Sequence, residues 1–233
     1  MKVLIVQNDP VENLGLYQRI LAEKNIVNEI FHAYRLKEKE RFPQIDEYDA
    51  LIIGPTPIPA NEFRKHLFLI KEWEMFSDMI GSGKPILGVC CGAQLLAKYL
   101  GAEVKRSPRR EVGGYEVKLT EEGKIDPLFA GFPHSFLVFH WHRDMFEIPT
   151  GGNMLVEGDP CPIQALSWRN VRGVIFHLEI DRHEAERWAD AYQSEIGEVG
   201  KTRDQVLKEC VEREPQMRHL AYKLIDNFIN MAR

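Results

Sequence analysis

The stretch Pro85-Ile86-Leu87-Gly88-Val89-Cys90-Cys91-Gly92-Ala93-Gln94 decides the reading of this 233-residue chain. Pro85–Val89 is a short apolar run of the kind that forms a buried strand, and Gly92–Leu100 is helical in pattern directly after it. A side chain held at so sharp a strand-to-helix turn projects above the sheet edge. Flanking glycines relieve crowding there, as in the elbow that presents a nucleophilic serine. The amides that open the helix favour negative charge, so they lower a thiol pKa and can hold an oxyanion. Cys90 is therefore placed to be a nucleophile, with a buried structural cysteine beside a tight turn as the alternative that the local sequence leaves open.

Outward from the elbow, strands and helices alternate. Lys2–Val6 is another buried-strand run. Asp9-Pro10-Val11-Glu12 supplies a cap, a first-turn proline and a capping-box glutamate for a helix carrying Leu14, Tyr17 and Leu21. Strands are expected at Ile26–Phe31 and Ala50–Ile53, the second ending at Gly54-Pro55, and a helix over Glu62–Ile80. The alternation predicts a parallel sheet with helices on both faces. From Val112 to Phe176 short β-like runs separated by Gly, Pro and Asn suggest an antiparallel part. After Asp181 the chain turns helical, with Ala185, Trp188, Ala189, Tyr192 and Ile196 on one stripe and Met217, Leu220, Ala221, Leu224, Ile225 and Phe228 on another.

Composition narrows the function. At 44% hydrophobic and 28% charged residues the chain is an ordinary globular one that needs no disulfide or metal staple. Its 30 basic and 35 acidic residues leave a net charge of −5, which disfavours a nucleic-acid partner. The longest apolar stretch, Ile86–Ala97, is broken by two glycines and a glutamine, too short and polar to span a bilayer. The N-terminal MKVLIVQND lacks the features of a signal peptide, so no membrane association and a cytoplasmic location are expected. Cys90, Cys91, Cys161 and Cys210 form no CxxC pair, and free thiols are expected.

A thiol nucleophile needs a base, and the base needs an orienting group. Val174-Ile175-Phe176-His177-Leu178-Glu179 supplies both, since residues two apart on a strand share a face. With these motifs the chain resembles the class I (triad) glutamine amidotransferase family. The elbow Gly-x-Cys-x-Gly-x-Gln is matched at Gly88, Cys90, Gly92 and Gln94, His-x-Glu at His177 and Glu179, and the Gly-Pro turn at Gly54-Pro55. The likeness is greatest to free-standing, GMP synthase-like members, through Glu111-Val112-Gly113-Gly114-Tyr115, Trp141-His142-Arg143-Asp144, Ile148-Pro149 and Gln164-Ala165. It covers roughly residues 1–195. Two departures stand out: Leu178 replaces the usual proline of His-Pro-Glu, and Ile53 precedes Gly54-Pro55 where a glycine or serine is usual.

The resemblance implies a flavodoxin-like three-layer α/β sandwich over residues 1–195, mostly parallel with a smaller antiparallel part, and a C-terminal helical extension over 196–233 packed on it or on a partner. It implies a glutaminase in which Cys90, His177 and Glu179 are catalytic, and the amides of Gly54 and Cys91 form the oxyanion hole. Gln94, Glu111, His142 and Asp144 would shape the pocket for the glutamine substrate. Ammonia would pass to an acceptor or a partner synthase. A γ-glutamyl hydrolase, or a non-catalytic regulatory protein on the same scaffold, are the alternatives. A homo-oligomer is compatible with the sequence, and no cofactor is expected. His140, His142 and Asp144 face one way on an extended strand and mimic a two-His-one-carboxylate metal site, but the resemblance assigns that stretch to the glutaminase cleft, so no metal is expected. Lys105–Arg110 reads as a solvated basic loop near the active-site edge, or as a dock for an anionic acceptor.

Overall fold

Val3 and Ile5 point to one side of the first strand and Leu4 and Val6 to the other, and all four are buried. Ala50 and Ile52 against Leu51 and Ile53 repeat the pattern on the third strand. A strand apolar on both faces must be covered on both, and that requirement sets the layers. The structure, a computed structural model, describes residues 1–232.

The parallel half is β1 (Lys2–Gln7), α1 (Gly15–Glu23), β2 (Val27–His32), β3 (Ala50–Ile53), α2 (Leu67–Gly81), β4 (Ile86–Val89) and α3 (Cys91–Tyr99). The antiparallel part is β5 (Val104–Leu119), α4 (Glu121–Ile125), β6 (Ser135–Phe146), β7 (Asn153–Glu157) and β8 (Ile163–Trp168). β9 (Val171–Val174) follows, then α5 (Arg182–Ala191), α6 (Gln193–Glu198) and α7 (Arg203–Met231). All strands join one sheet in the order β2-β1-β3-β4-β9-β8-β7-β5-β6. β9 is the seam: it runs parallel to β4 and antiparallel to β8. Side chains of α1, α5 and α7 fill the core on one face, and those of α2 and α3 the other. The apolar stripe of α7, Met217 to Ile229, lies wholly in the first of these cores, and Thr202 with Gln205 closes its start as a capping box.

Three local expectations give way. Asp9 does not begin a helix; its carboxylate accepts from the Val11 and Glu12 amides in a turn, and α1 starts at Gly15. The expected helix over 62–80 is split, because His66 is extended between a 3₁₀ turn at Ala60–Lys65 and α2. The basic run Lys105–Arg110 is no loop but lies within β5, paired with β6 across an irregularity between Arg106 and Glu111. Lys105, Arg106 and Arg109 are exposed along it.

Candidate active site

Cys90 joins β4 to α3 with φ 52° and ψ −113°, in a region that side chains other than glycine rarely enter. Its neighbours make that possible. A Cβ on Gly92 would collide with the Ile53 carbonyl, and one on Gly88 would sit 2.7 Å from the Ala93 amide. The elbow is pinned by Cys90 N–H donating to Val174 O at 2.8 Å and by Gln94 N–H donating to Cys90 O at 3.1 Å. β4 thus delivers the thiol, and the neighbouring β9 leads directly into the base.

His177 is fixed from three directions. Its backbone exchanges two hydrogen bonds with Phe139 on β6, at 2.8 and 3.1 Å. Its ring packs edge-on against Trp188 of α5, 4.8 Å between centroids. Its Nδ1 is 2.5 Å from Glu179 Oε1, and both side chains are fully buried. A carboxylate accepts, so Nδ1 carries the proton and Nε2 presents a lone pair, which is buried and without a hydrogen-bond partner. Burial pushes the Cys90 thiol well up, Glu12 adds to the rise, and the Cys91 amide directed at the sulfur opposes it. The Cys91 thiol faces elsewhere, to Ile58 O at 3.2 Å.

The pocket beside Cys90 encloses about 110 Å³. Gln94, His142 and Asp144 line it as expected, together with Cys90 and Cys91. Gln94 donates to the Asp144 carbonyl at 3.0 Å, and the Asp144 carboxylate pairs with Arg106 at 3.0 Å. Two expectations are corrected. The Gly54 amide is bonded to Val6 O at 2.8 Å as the sheet continues, so it does not face the thiol; Thr56, Pro57, Ile58 and Pro59 form that wall. Glu111 does not line the pocket either. It lies fully buried behind it, 2.9 Å from His142 Nε2. The His140–His142–Asp144 trio is also broken up, with Glu111 in the place expected for Asp144.

Several pocket residues escaped the sequence reading. Glu12, after β1, is buried beside Cys90, and its carboxyl is pushed well up by burial and the charge of Asp9, while Tyr192 hydrogen-bonds it. Its position past the carboxyl end of β1 is the available signal, since ligands sit at that edge of open α/β sheets. Tyr192 and Glu195 cover the pocket from the α5–α6 end, and Glu195 is held there by Trp141 Nε1 at 2.7 Å and Arg110 at 2.6 Å. Beneath the Gly54 turn, Asn8 Nδ2 donates to Gly54 O at 3.2 Å and to Glu72 Oε1 at 3.3 Å. Among the described residues no helix is long and apolar enough to cross a membrane.

The family model described as "Glutamine amidotransferase class-I" matches residues 15–187. The glutamine amidotransferase-like protein YfeJ of Salmonella typhimurium is 29% identical over 203 residues, 85% of this chain and 84% of that protein. A GMP synthase subunit of Thermococcus kodakarensis, named as glutamine-hydrolysing, is 34% identical over 113 residues, 47% of this chain and only 57% of that relative. A crystal structure of a glutamine amidotransferase from Thermotoga maritima is similar over 98% of both chains, with a TM-score of 0.88 at 27% identity.

Proposed function

Because the chain belongs to the class-I glutamine amidotransferase family, we propose that it hydrolyses the side-chain amide of glutamine through a thioester on Cys90 and delivers the ammonia to a partner synthase. The observation that carries this reading is the left-handed Cys90 at the β4–α3 turn, with the oriented, unpartnered His177 Nε2 supplied by the next strand. Its thiol is pushed up by burial, so a base must remove the proton as attack proceeds.

In this mechanism His177 Nε2 takes the Cys90 proton while Glu179 steadies the imidazolium. The thiolate adds to the amide carbon, and the oxyanion forms against the Cys91 amide. Collapse expels the nitrogen as ammonia, protonated by His177, and leaves a γ-glutamyl thioester. Water, deprotonated by His177, then releases glutamate and restores the thiol. Gln94, His142 and Asp144 shape the cavity around the substrate. Tyr192 and Glu195 line the same cavity. The partner is inferred from the similarity to the GMP synthase subunit, whose name marks it as glutamine-hydrolysing.

The test is intact-mass analysis during turnover, with ammonia release followed in parallel. A γ-glutamyl adduct on the native chain that is absent from Cys90→Ala supports the mechanism. Ammonia release by Cys90→Ala at the native rate refutes it.

A further inference from the structure

Between β5, β6 and β8, behind the glutamine pocket, two imidazoles and a carboxylate meet in a fully buried space. Glu111 on β5 is the register partner of His142 on β6, and His140 is two residues along on the same face. His142 Nδ1 is 3.1 Å from Asp144 O. A carbonyl can only accept, so Nδ1 donates there. Nε2 lies 2.9 Å from Glu111 Oε2 yet makes no hydrogen bond with it. A proton or a metal cation is what such a pair can share. His140 is more isolated still: it is fully buried, neither ring nitrogen has a hydrogen-bond partner, and its Nε2 lies 4.0 Å from Glu111 Oε1. Glu111 Oε1 and, on β8, Gln164 Oε1 are likewise buried and unpartnered. Buried polar atoms are rarely left so, and a cluster of them calls for an ion or water.

We propose that Glu111, His140 and His142 form a buried site for a divalent transition-metal cation. Two imidazoles and a carboxylate suit zinc or a neighbour in its row. The three donor atoms lie within 4.8 Å of one another. Ligands about 2.1 Å from a tetrahedral ion stand about 3.4 Å apart, so closing the site takes side-chain shifts of about 1 Å. The His142 Nδ1–H bond to a carbonyl is the arrangement that orients a metal-bound imidazole. The set is enclosed, so the ion ties β5 and β6 together and fixes His142 in the pocket wall without taking part in amide hydrolysis. The proposal revises the expectation of a metal-free cleft, and it stands or falls independently of the glutaminase reading.

The experiment is elemental analysis of untagged protein purified without chelator, followed by stripping and a zinc titration read by calorimetry and thermal unfolding. One equivalent of metal per chain is expected, with zinc raising the melting temperature of the stripped protein by about 5 °C or more. Glu111→Gln should weaken zinc binding at least about 100-fold. His140→Leu fills the space with an apolar side chain, so it should fold without metal and show no zinc-dependent melting shift. Native protein that carries no stoichiometric metal and gains no stability from zinc overturns the proposal and leaves a shared proton between Glu111 and His142. Zinc bound equally well by His140→Leu overturns it too, by placing the ion elsewhere.

Discussion

A backbone conformation such as that of Cys90 costs about 1–3 kcal/mol and persists only where its surroundings enforce it. Cys90→Gly should therefore unfold no earlier than the native chain on heating, while ammonia release falls by at least about 10³-fold, and Cys90→Ala should be equally inactive. Cys91→Ala should keep activity within about tenfold, because its amide rather than its thiol faces the site. A second residue-scale prediction concerns Glu72, whose carboxyl burial pushes up to about 8 from an ordinary 4.5. As pH rises through that window the unfolded chain loses a proton that the folded chain keeps. Stability should thus fall between about pH 4.5 and 8 and level off above, by about 1.4 kcal/mol per pH unit at the steepest. Denaturant titrations across pH should show a flatter profile for Glu72→Gln, and an unchanged slope would discount this carboxyl as the cause. Cys90, His177 and Glu179 could be picked out in the sequence because each lies in a contiguous pattern. Glu12 and Glu72 could not, since their roles arise from strand ends and a helix that only topology brings beside the elbow.

Among the elements, α7 packs against α1, α5, β5 and β6, and it docks on β5 at Gly113-Gly114. The Gly114 amide donates to Glu209 Oε2 at 2.8 Å, and Lys201 bonds both Glu209 and the Val112 carbonyl. Gly113 has φ 102°, and a Cβ there would meet the Glu209 carboxylate. Gly113→Ala should cost about 1–3 kcal/mol in denaturant unfolding; a loss below about 0.5 kcal/mol would mean that the strand relaxes freely. These glycines belong to the motif read at 111–115, yet the reading could not attach them to a helix some ninety residues away. Element types were legible where a short apolar run was cleanly bounded, as in β1, β3 and β4. The long strand β5 was not, because its basic half alternates no apolar residues and takes its structure from pairing with β6. The break at His66 was hidden for the opposite reason: the helical pattern runs on across a residue that is extended.

At the scale of the molecule, the proposed glutaminase site has the Gly54 amide, expected from the sequence as an oxyanion donor, turned away. The Gly54 amide is spent on Val6, and its carbonyl is held by Asn8. Loss of one such donor lowers turnover about 10²–10³-fold. Steady-state ammonia release from the isolated chain should accordingly lie well below the enzyme median of about 10 per second, and a cognate synthase should raise it about 100-fold or more. Turnover near that median without a partner would dismiss gating by this turn. The whole-molecule layout was foreseeable from alternating strands and helices, but the seam was not, since nothing local in Val171–Val174 tells a strand to pair in both directions. That seam orders events in time as well as space. β9 is the last of the described strands in chain order yet sits near the middle of the sheet, pairing with β4 about 85 positions earlier. A chain emerged only as far as β8 would leave β4 with one edge unpaired and Cys90 without His177. The proposed amide hydrolysis would wait until β9 is seated between β4 and β8, because His177 follows that strand directly.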